Sequence, residues 1–199
     1  MTRVICDISV SVDGFVTGPN DTRSNPFGDG ADCLHDWLSV SATDEDRAVL
    51  AASVEEIGAV VMGRKSFDKN EGDGGWGDLG PFGAVPCFVV THRVPQDQYP
   101  AVFSFVTDGV AGAIEAARTA AVAKSVQLHG ASVMQQAMPL RLVDELRLHV
   151  VPVLLGSGTR LFGALDGAVE LERTKVVVTP AATHLTFRVL DPSDGVGGG

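Results

Sequence analysis

Two apolar runs in this chain stop on a glycine and turn directly into a helical segment, and that arrangement constrains the fold more than any other feature. The first is Val60-Val61-Met62-Gly63-Arg64-Lys65-Ser66-Phe67, the second Val126-Gln127-Leu128-His129-Gly130-Ala131-Ser132-Val133. A strand feeding a helix N-terminus leaves free backbone N–H groups and the positive end of the helix dipole at the turn, so an anion is favoured there. Two such turns in one domain can hold two phosphate groups, as a dinucleotide requires. Arg64 and Lys65 suit a further phosphate.

The rest of the chain follows the same pattern. Strands are predicted over 4–10, 59–62, 87–90, 103–106, 125–128, 142–154, 172–178 and 183–190, and helices over 33–38, 44–53, 109–123 and 131–138. The third helix is rich in alanine and has no breaker after Gly112. Thr43-Asp44-Glu45-Asp46 supplies a cap and an acidic first turn to the second. Strands alternating with helices imply an α/β fold whose largely parallel sheet is covered on both faces, and the final runs, with no helix between them, add antiparallel strands. With 199 residues there is one well-buried core, a single domain over 1–190, and a polar, glycine-ended tail over 191–199 that is expected to be disordered.

Charge and cysteine usage exclude several classes. The net charge is −10, from 15 basic and 25 acidic residues, and no basic block exceeds Arg64-Lys65. That argues against a nucleic-acid binder or a protein held on an anionic membrane by charge. Cys6, Cys33 and Cys87 are widely spaced and in no metal-binding pattern, and Cys6 and Cys87 read as buried structural thiols. The five histidines give no metal triad either; His129 adjoins the second glycine turn and suits either a ligand contact or a strand-end role, and His149 reads as structural. No secretion signal or membrane-length apolar run is seen, so a cytoplasmic setting is expected. The glycine-rich stretch 68–86 reads as a loop, solvated or flanking a substrate site. Gly72-Asp73-Gly74-Gly75-Trp76-Gly77 lacks the strand before and helix after that a dinucleotide fingerprint needs. Asp13-Gly14 marks a turn after the first strand, and Leu154-Leu155-Gly156-Ser157-Gly158 a loop between C-terminal strands.

Four of these segments, taken in order, resemble one superfamily. Met62-Gly63-Arg64-Lys65-Ser66-Phe67 is similar to the methionine-glycine-arginine turn of dihydrofolate reductases. Ser11-Val12-Asp13-Gly14 resembles a motif of the reductase domain of the bifunctional riboflavin-biosynthesis deaminase–reductase. Leu128-His129-Gly130-Ala131-Ser132 resembles the cofactor turn of both, and Val143-Asp144-Glu145-Leu146-Arg147-Leu148 with Pro152-Val153-Leu154-Leu155-Gly156-Ser157-Gly158 resembles their common ending. The resemblance runs from about residue 3 to 190. It implies a dihydrofolate-reductase-like three-layer α/β/α fold with a central mixed, mostly parallel sheet.

The resemblance also implies a function: an NADPH-dependent reductase passing hydride to a C=N or C=O of a small pterin-like or riboflavin-precursor-like heterocycle, of the dihydrofolate reductase or 5-amino-6-(5-phosphoribosylamino)uracil reductase type. Gly63, Arg64, Lys65 and Ser66 would meet cofactor phosphates, Arg64 taking the 2′-phosphate. Thr91, His92 and Arg93 would lie at the adenosine end. Gly130, Ala131, Ser132, Val133 and Met134 would face the pyrophosphate and the adjoining ribose, and Val16 and Thr17, with Ser9 beneath, the nicotinamide. Asp36 is the candidate catalytic and substrate carboxylate, with Asp32 second and an exposed helix carboxylate as the alternative; Trp37 and Gly156 are candidate substrate contacts, with a core or wall role for Trp37 open beside it. Two departures stand out. Ala131 replaces the second glycine of the pyrophosphate turn, and the proline-tryptophan surroundings of the dihydrofolate reductase carboxylate are missing. Two other readings share this pocket: a flavin or deazaflavin cofactor, and a nucleotide-binding protein without turnover. A homodimer, a small-molecule substrate and no metal complete the expectations.

Overall fold

The two glycine-ended runs lie side by side in the middle of one sheet. This computed structural model describes residues 2–39, 42–70 and 75–191, so the tail over 192–199 and Gly72-Asp73-Gly74 lie outside the described residues. The strands are β1 (Val4–Ser11), β2 (Phe15–Thr17), β3 (Ile57–Gly63), β4 (Cys87–Val90), β5 (Phe103–Val106), β6 (Ser125–His129), β7 (Glu145–Val151), β8 (Thr159–Arg160), β9 (Leu171–Val178) and β10 (Thr183–Val189). The helices are α1 (Asp44–Glu56), α2 (Arg64–Lys69), α3 (Gly109–Ala121) and α4 (Ala131–Ala137), with a 3-10 segment at Asp32–Leu38. The eight-stranded sheet runs β5-β4-β3-β6-β1-β7-β10-β9, and β2 pairs with β8 apart from it. Strands from β5 to β7 in that order are parallel. β10 is antiparallel to both its neighbours. The expected three-layer α/β/α architecture with antiparallel C-terminal strands is what forms.

Side chains on a strand alternate between faces, and here the two faces differ in chemistry. Toward α3 and α4 the sheet sends Val4, Cys6, Val61, Val126, Leu128 and Leu146 into one apolar core. α3 meets it with Val110, Ala113, Ile114, Ala117 and Ala121, a spacing that keeps one helical stripe against the sheet. The opposite face is apolar under β3 and β4, where Val60, Met62, Phe67, Cys87 and Val89 pack with Trp76 and Phe82. Under β1, β6 and β7 that face turns polar.

Local differences from the sequence reading have identifiable causes. The run 142–154 contains β7 only over Glu145–Val151; Pro152 cannot donate to a ladder, and the chain turns there with Val153 N–H bonded to the Val151 carbonyl at 2.8 Å. α3 ends at Ala121 because Val122 takes φ 58°. The Asp13-Gly14 turn forms, closed by Gly14 N–H to the Ser11 carbonyl at 2.9 Å. Asp13 then reaches across to the late loop: its carboxylate accepts from Leu155 N–H at 3.1 Å and Gly156 N–H at 2.7 Å. Short β2 follows and pairs with β8, a contact between distant segments that no local pattern announces.

Candidate functional site

A cavity of about 420 Å³ opens on the polar face of the sheet. Its floor is built from alternate residues of three neighbouring strands: Asp7 and Ser9 of β1, Gln127 and His129 of β6, and His149 of β7. The register explains the grouping, since Ser9 lies opposite His149 and Ile5 opposite Gln127. Its walls come from Leu50, Ser53 and Val54 of α1, from Trp37 and His35 of the 3-10 segment, and from Trp76, Pro81 and Phe82 of the glycine-rich loop, which therefore flanks the cavity.

Several residues singled out from the sequence meet at this cavity. Ser9, Val16, Thr17, Lys65, Ser66, Gly130, Ala131, Ser132 and Trp37 all line it. β3 and β6 are adjacent, with Met62 opposite His129, so the two glycine turns touch. A side chain at Gly63 would overlap the Ser132 hydroxyl, and one at Gly130, where φ is +93°, would put its Cβ 2.6 Å from Ser66 Oγ. The two turns thus form one narrow cradle instead of two separated anion sites. Among the described residues, Thr17 Oγ1 and His35 Nδ1 are buried at the cavity without a hydrogen-bond partner, and buried polar atoms ordinarily find one. Lys65 is ion-paired to Asp21 at 2.8 Å, and Lys69 Nζ, on the same carboxylate, lies 2.9 Å from it.

Other predicted residues lie away from the cavity lining. Asp36 is exposed, and its backbone carbonyl caps the 3-10 segment by accepting from Ser39 N–H at 3.0 Å; Asp32 is exposed as well. The carboxylates on the cavity are Asp7 and Asp21. Gly156 serves Asp13 through its N–H. Val133 and Met134 are fully buried in the core beneath α3. Arg64 projects to the other side of α2, pairing with Asp68 at 2.5 Å and lying over Phe67 at 5.8 Å. Thr91, next along the sheet edge, is buried and closes a turn with Arg93, whose N–H donates to Thr91 Oγ1 at 3.3 Å, and His92 and Arg93 are exposed. Arg64 and Thr91-His92-Arg93 follow directly on paired strands, Gly63 being opposite Val90.

Of the polar floor, Ser9 and a ligand-contact role for His129 were read from the sequence, whereas Asp7, Gln127 and the cavity-facing side of His149 were not. Asp7 Oδ1 lies 2.6 Å from His149 Nε2, and Asp7 Oδ2 accepts from Ser53 Oγ at 2.5 Å. Burial would raise the Asp7 carboxyl, but hydrogen bonds from His149 and Ser53 and the nearby Arg147 guanidinium hold it below its ordinary value. His149 Nδ1 lies 2.7 Å from His184 Nδ1, and His184 Nε2 2.8 Å from Asp46 Oδ1. Trp37 packs over His149 with centroids 4.2 Å apart and donates Nε1–H to Ser9 Oγ at 2.8 Å. Burial, then the Lys69 and His35 charges, lower His129 to about 4. His35 is also lowered, chiefly by burial. A signal was present in the sequence: a strand in the middle of a doubly covered sheet should be apolar throughout, yet β1, β6 and β7 each carry polar residues at alternating positions. His149 does hold structure, as its sequence position suggested, and it also faces the cavity.

Among the described residues, no helix is long and apolar enough to cross a membrane and no cluster of three or more metal-binding side chains occurs. The fold has known counterparts. A riboflavin-biosynthesis candidate from Shewanella sp. PV-4 superposes with a TM-score of 0.72 at 23% identity, covering 96% of this chain and 100% of that one. Dihydrofolate reductase from Enterococcus faecalis, in complex with NADP(H), superposes with a TM-score of 0.55 at 13% identity, covering 95% and 97%. The uncharacterized protein YyaP of Bacillus subtilis (strain 168) is 29% identical over 173 residues, 80% of each chain. The RibD C-terminal domain family matches residues 2–185. With nearly its whole length matched and the four motifs in their order, the chain belongs to the RibD C-terminal domain family.

Proposed function

We propose that this protein is an NADPH-dependent reductase that adds hydride to a C=N or C=O carbon of a small pterin-like or riboflavin-precursor-like heterocycle. One observation carries the reading: the Gly63/Gly130 cradle opens into the same cavity as the orphaned Thr17 hydroxyl and the polar floor. The residues fit the cofactor. Backbone at Gly63–Ser66 and Gly130–Ser132 would receive its pyrophosphate, Arg64 and Thr91–Arg93 its 2′-phosphate and adenosine, and Val16, Thr17 and Ser9 its nicotinamide. The cofactor supplies hydride; the protein binds, orients and excludes water. Trp76 and Phe82 close the cavity wall, and Asp7 and His149 hold polar contacts for the heterocycle.

The test is calorimetric binding of NADPH, NADH and a flavin, then NADPH oxidation with dihydrofolate and riboflavin-pathway pyrimidines. NADPH preference with turnover is expected; binding of the flavin alone, or of nothing, overturns the reading. In R64A the preference for NADPH over NADH should fall by about 1.5–3 kcal/mol, the range for hydrogen bonds to charged groups. An unchanged ratio removes Arg64 from the 2′-phosphate role. The proposal includes a homodimer through β9, an outer strand of the sheet with exposed Leu171, Val176 and Val178. Sedimentation that stays monomeric at every concentration refutes it.

A further inference from the structure

Asp7, His149, His184 and Asp46 make an unbroken line of three short hydrogen bonds, at 2.6, 2.7 and 2.8 Å. β7 and β10 set its centre, because His149 and His184 are directly opposite in the register. Asp46 ends it: fully buried, it also accepts from Thr43 N–H at 2.8 Å as part of the α1 capping box.

Each of the three hydrogen bonds needs one proton. Two neutral imidazoles between two carboxylates carry only two. With every bond filled, the line holds one proton more than two neutral histidines, kept by the two carboxylates against the burial that lowers His184. Other charged groups around the line are Arg147 and Glu145 of β7, Glu56 of α1, Lys175 of β9 and His35 of the 3-10 segment. Arg147 lies 3.8 Å from Asp7 and pairs with Glu56 at 3.0 Å and Glu145 at 2.6 Å. Lys175, Arg147 and Glu56 line a second cavity of about 200 Å³, which is also lined by His149 and His184. His35 acts on His149 through its charge when protonated. The extra charge is further favoured by the Trp37 face. One end of the line thus faces the main cavity at Asp7 and His149, and its middle faces the second cavity.

We propose that this line is the proton store of the site: Asp7 and His149 deliver a proton to the substrate, and His184 and Asp46 are positioning residues that keep it loaded. The inference rests on the reductase reading for its use. Hydride supplied by a bound nicotinamide would form the new C–H bond; the π pair of the C=N or C=O would move to nitrogen or oxygen, and that atom would take the proton held between His149 and Asp7. The spent line has the bare His149 Nε2 facing the Asp7 carboxylate at 2.6 Å. Their repulsion drives uptake of a proton from water through the second cavity. The acid thus comes from the sheet floor, which accounts for a site whose 3-10 segment presents Asp36 to solvent.

The store is tested on the wild-type protein without any ligand, by 15N NMR of labelled histidines from pH 5 to 9. The expected result is three ring protons shared by His149 and His184 at pH 7, with loss of the third moved to lower pH in D46N. Two ring protons at pH 7, or an unmoved titration in D46N, overturns the store whether or not NADPH binds. Delivery is read on the panel compound that oxidises NADPH. H184N should lower kcat about 100-fold, the lower end of the range of general acid catalysis, and shift the kcat–pH profile while NADPH Kd stays put. An unmoved profile overturns delivery. Three ring protons in a protein that binds no NADPH would instead fail the reductase reading and leave the store standing.

Discussion

Replacing Asp46 by alanine tests whether one buried carboxylate stabilises both a helix start and the histidine pair. Asp46 Oδ2 accepts from Thr43 N–H at 2.8 Å and Thr43 Oγ1 at 2.9 Å, and Oδ1 lies 2.8 Å from His184 Nε2. Loss of the capping interaction costs about 1 kcal/mol, and loss of a hydrogen bond to a charged partner about 1.5–3 kcal/mol. D46A should therefore lose roughly 2.5–4 kcal/mol at pH 7, a fall in Tm on the order of 10 °C at about 2–4 °C per kcal/mol for a chain of this size. Part of that loss depends on pH. Burial would raise the Asp46 carboxyl, but the Thr43 N–H and His184 outweigh it and lower its pKa from 3.8 to about 2. At about 1.36 kcal/mol per pH unit this is worth about 2 kcal/mol. Because the folded pKa is the lower one, the contribution is complete above the ordinary carboxylate range and disappears as pH falls through about 2. Urea unfolding of wild type and D46A across pH 2–7 should show the two converging by about 2 kcal/mol at the acid end. A constant difference refutes the assignment of the shift to Asp46, and a difference under about 1 kcal/mol refutes the energetic argument altogether.

Two further outcomes follow from the site. G130A puts a Cβ against Ser66 Oγ at a backbone φ of +93°, so it should lose about 1–3 kcal/mol of stability and most NADPH affinity; an unchanged melting curve and Kd would mean that the cradle is loose. His129 titrates near 4 because burial, then Lys69 and His35, disfavour its charge. A histidine with a lowered folded pKa takes stability away as pH drops from 6.5 toward 4. H129Q should flatten wild-type acid sensitivity in that window by at most about 3 kcal/mol, read by thermal melts at pH 7 and 4.5, and parallel wild-type and H129Q curves would contradict it.

The cradle was legible because its cause is local. A glycine between an apolar run and a helix start is visible in a few consecutive residues, and Gly63 and Gly130 stand where those patterns put them. The Thr43 cap and acidic first turn were legible for the same reason, while the return bond from Thr43 N–H to Asp46 that completes the capping box came from the structure. What could not be read was which turns would touch. Gly63 and Gly130 meet because β3 and β6 became neighbours, and that is a matter of strand order. Asp13 illustrates the same limit, since its turn was evident while its partners Leu155 and Gly156 lie far along the chain.

The carboxylate shows the division most clearly. A helical position near Trp37 favoured Asp36 by family resemblance, whereas alternation along β1 turns Asp7 to the cavity and puts it beside His149. The sequence alone determined the eight strands of the main sheet, the helices, the two glycine turns and the covered parallel sheet, though not the β2–β8 pair, because periodicity, caps and backbone freedom act over neighbouring residues. Tertiary structure decided the cavity, its polar floor and the Asp7–His149–His184–Asp46 line, whose members come from β1, β7, β10 and α1. Their chemistry depends on strand register and burial, and both are properties of the packed sheet.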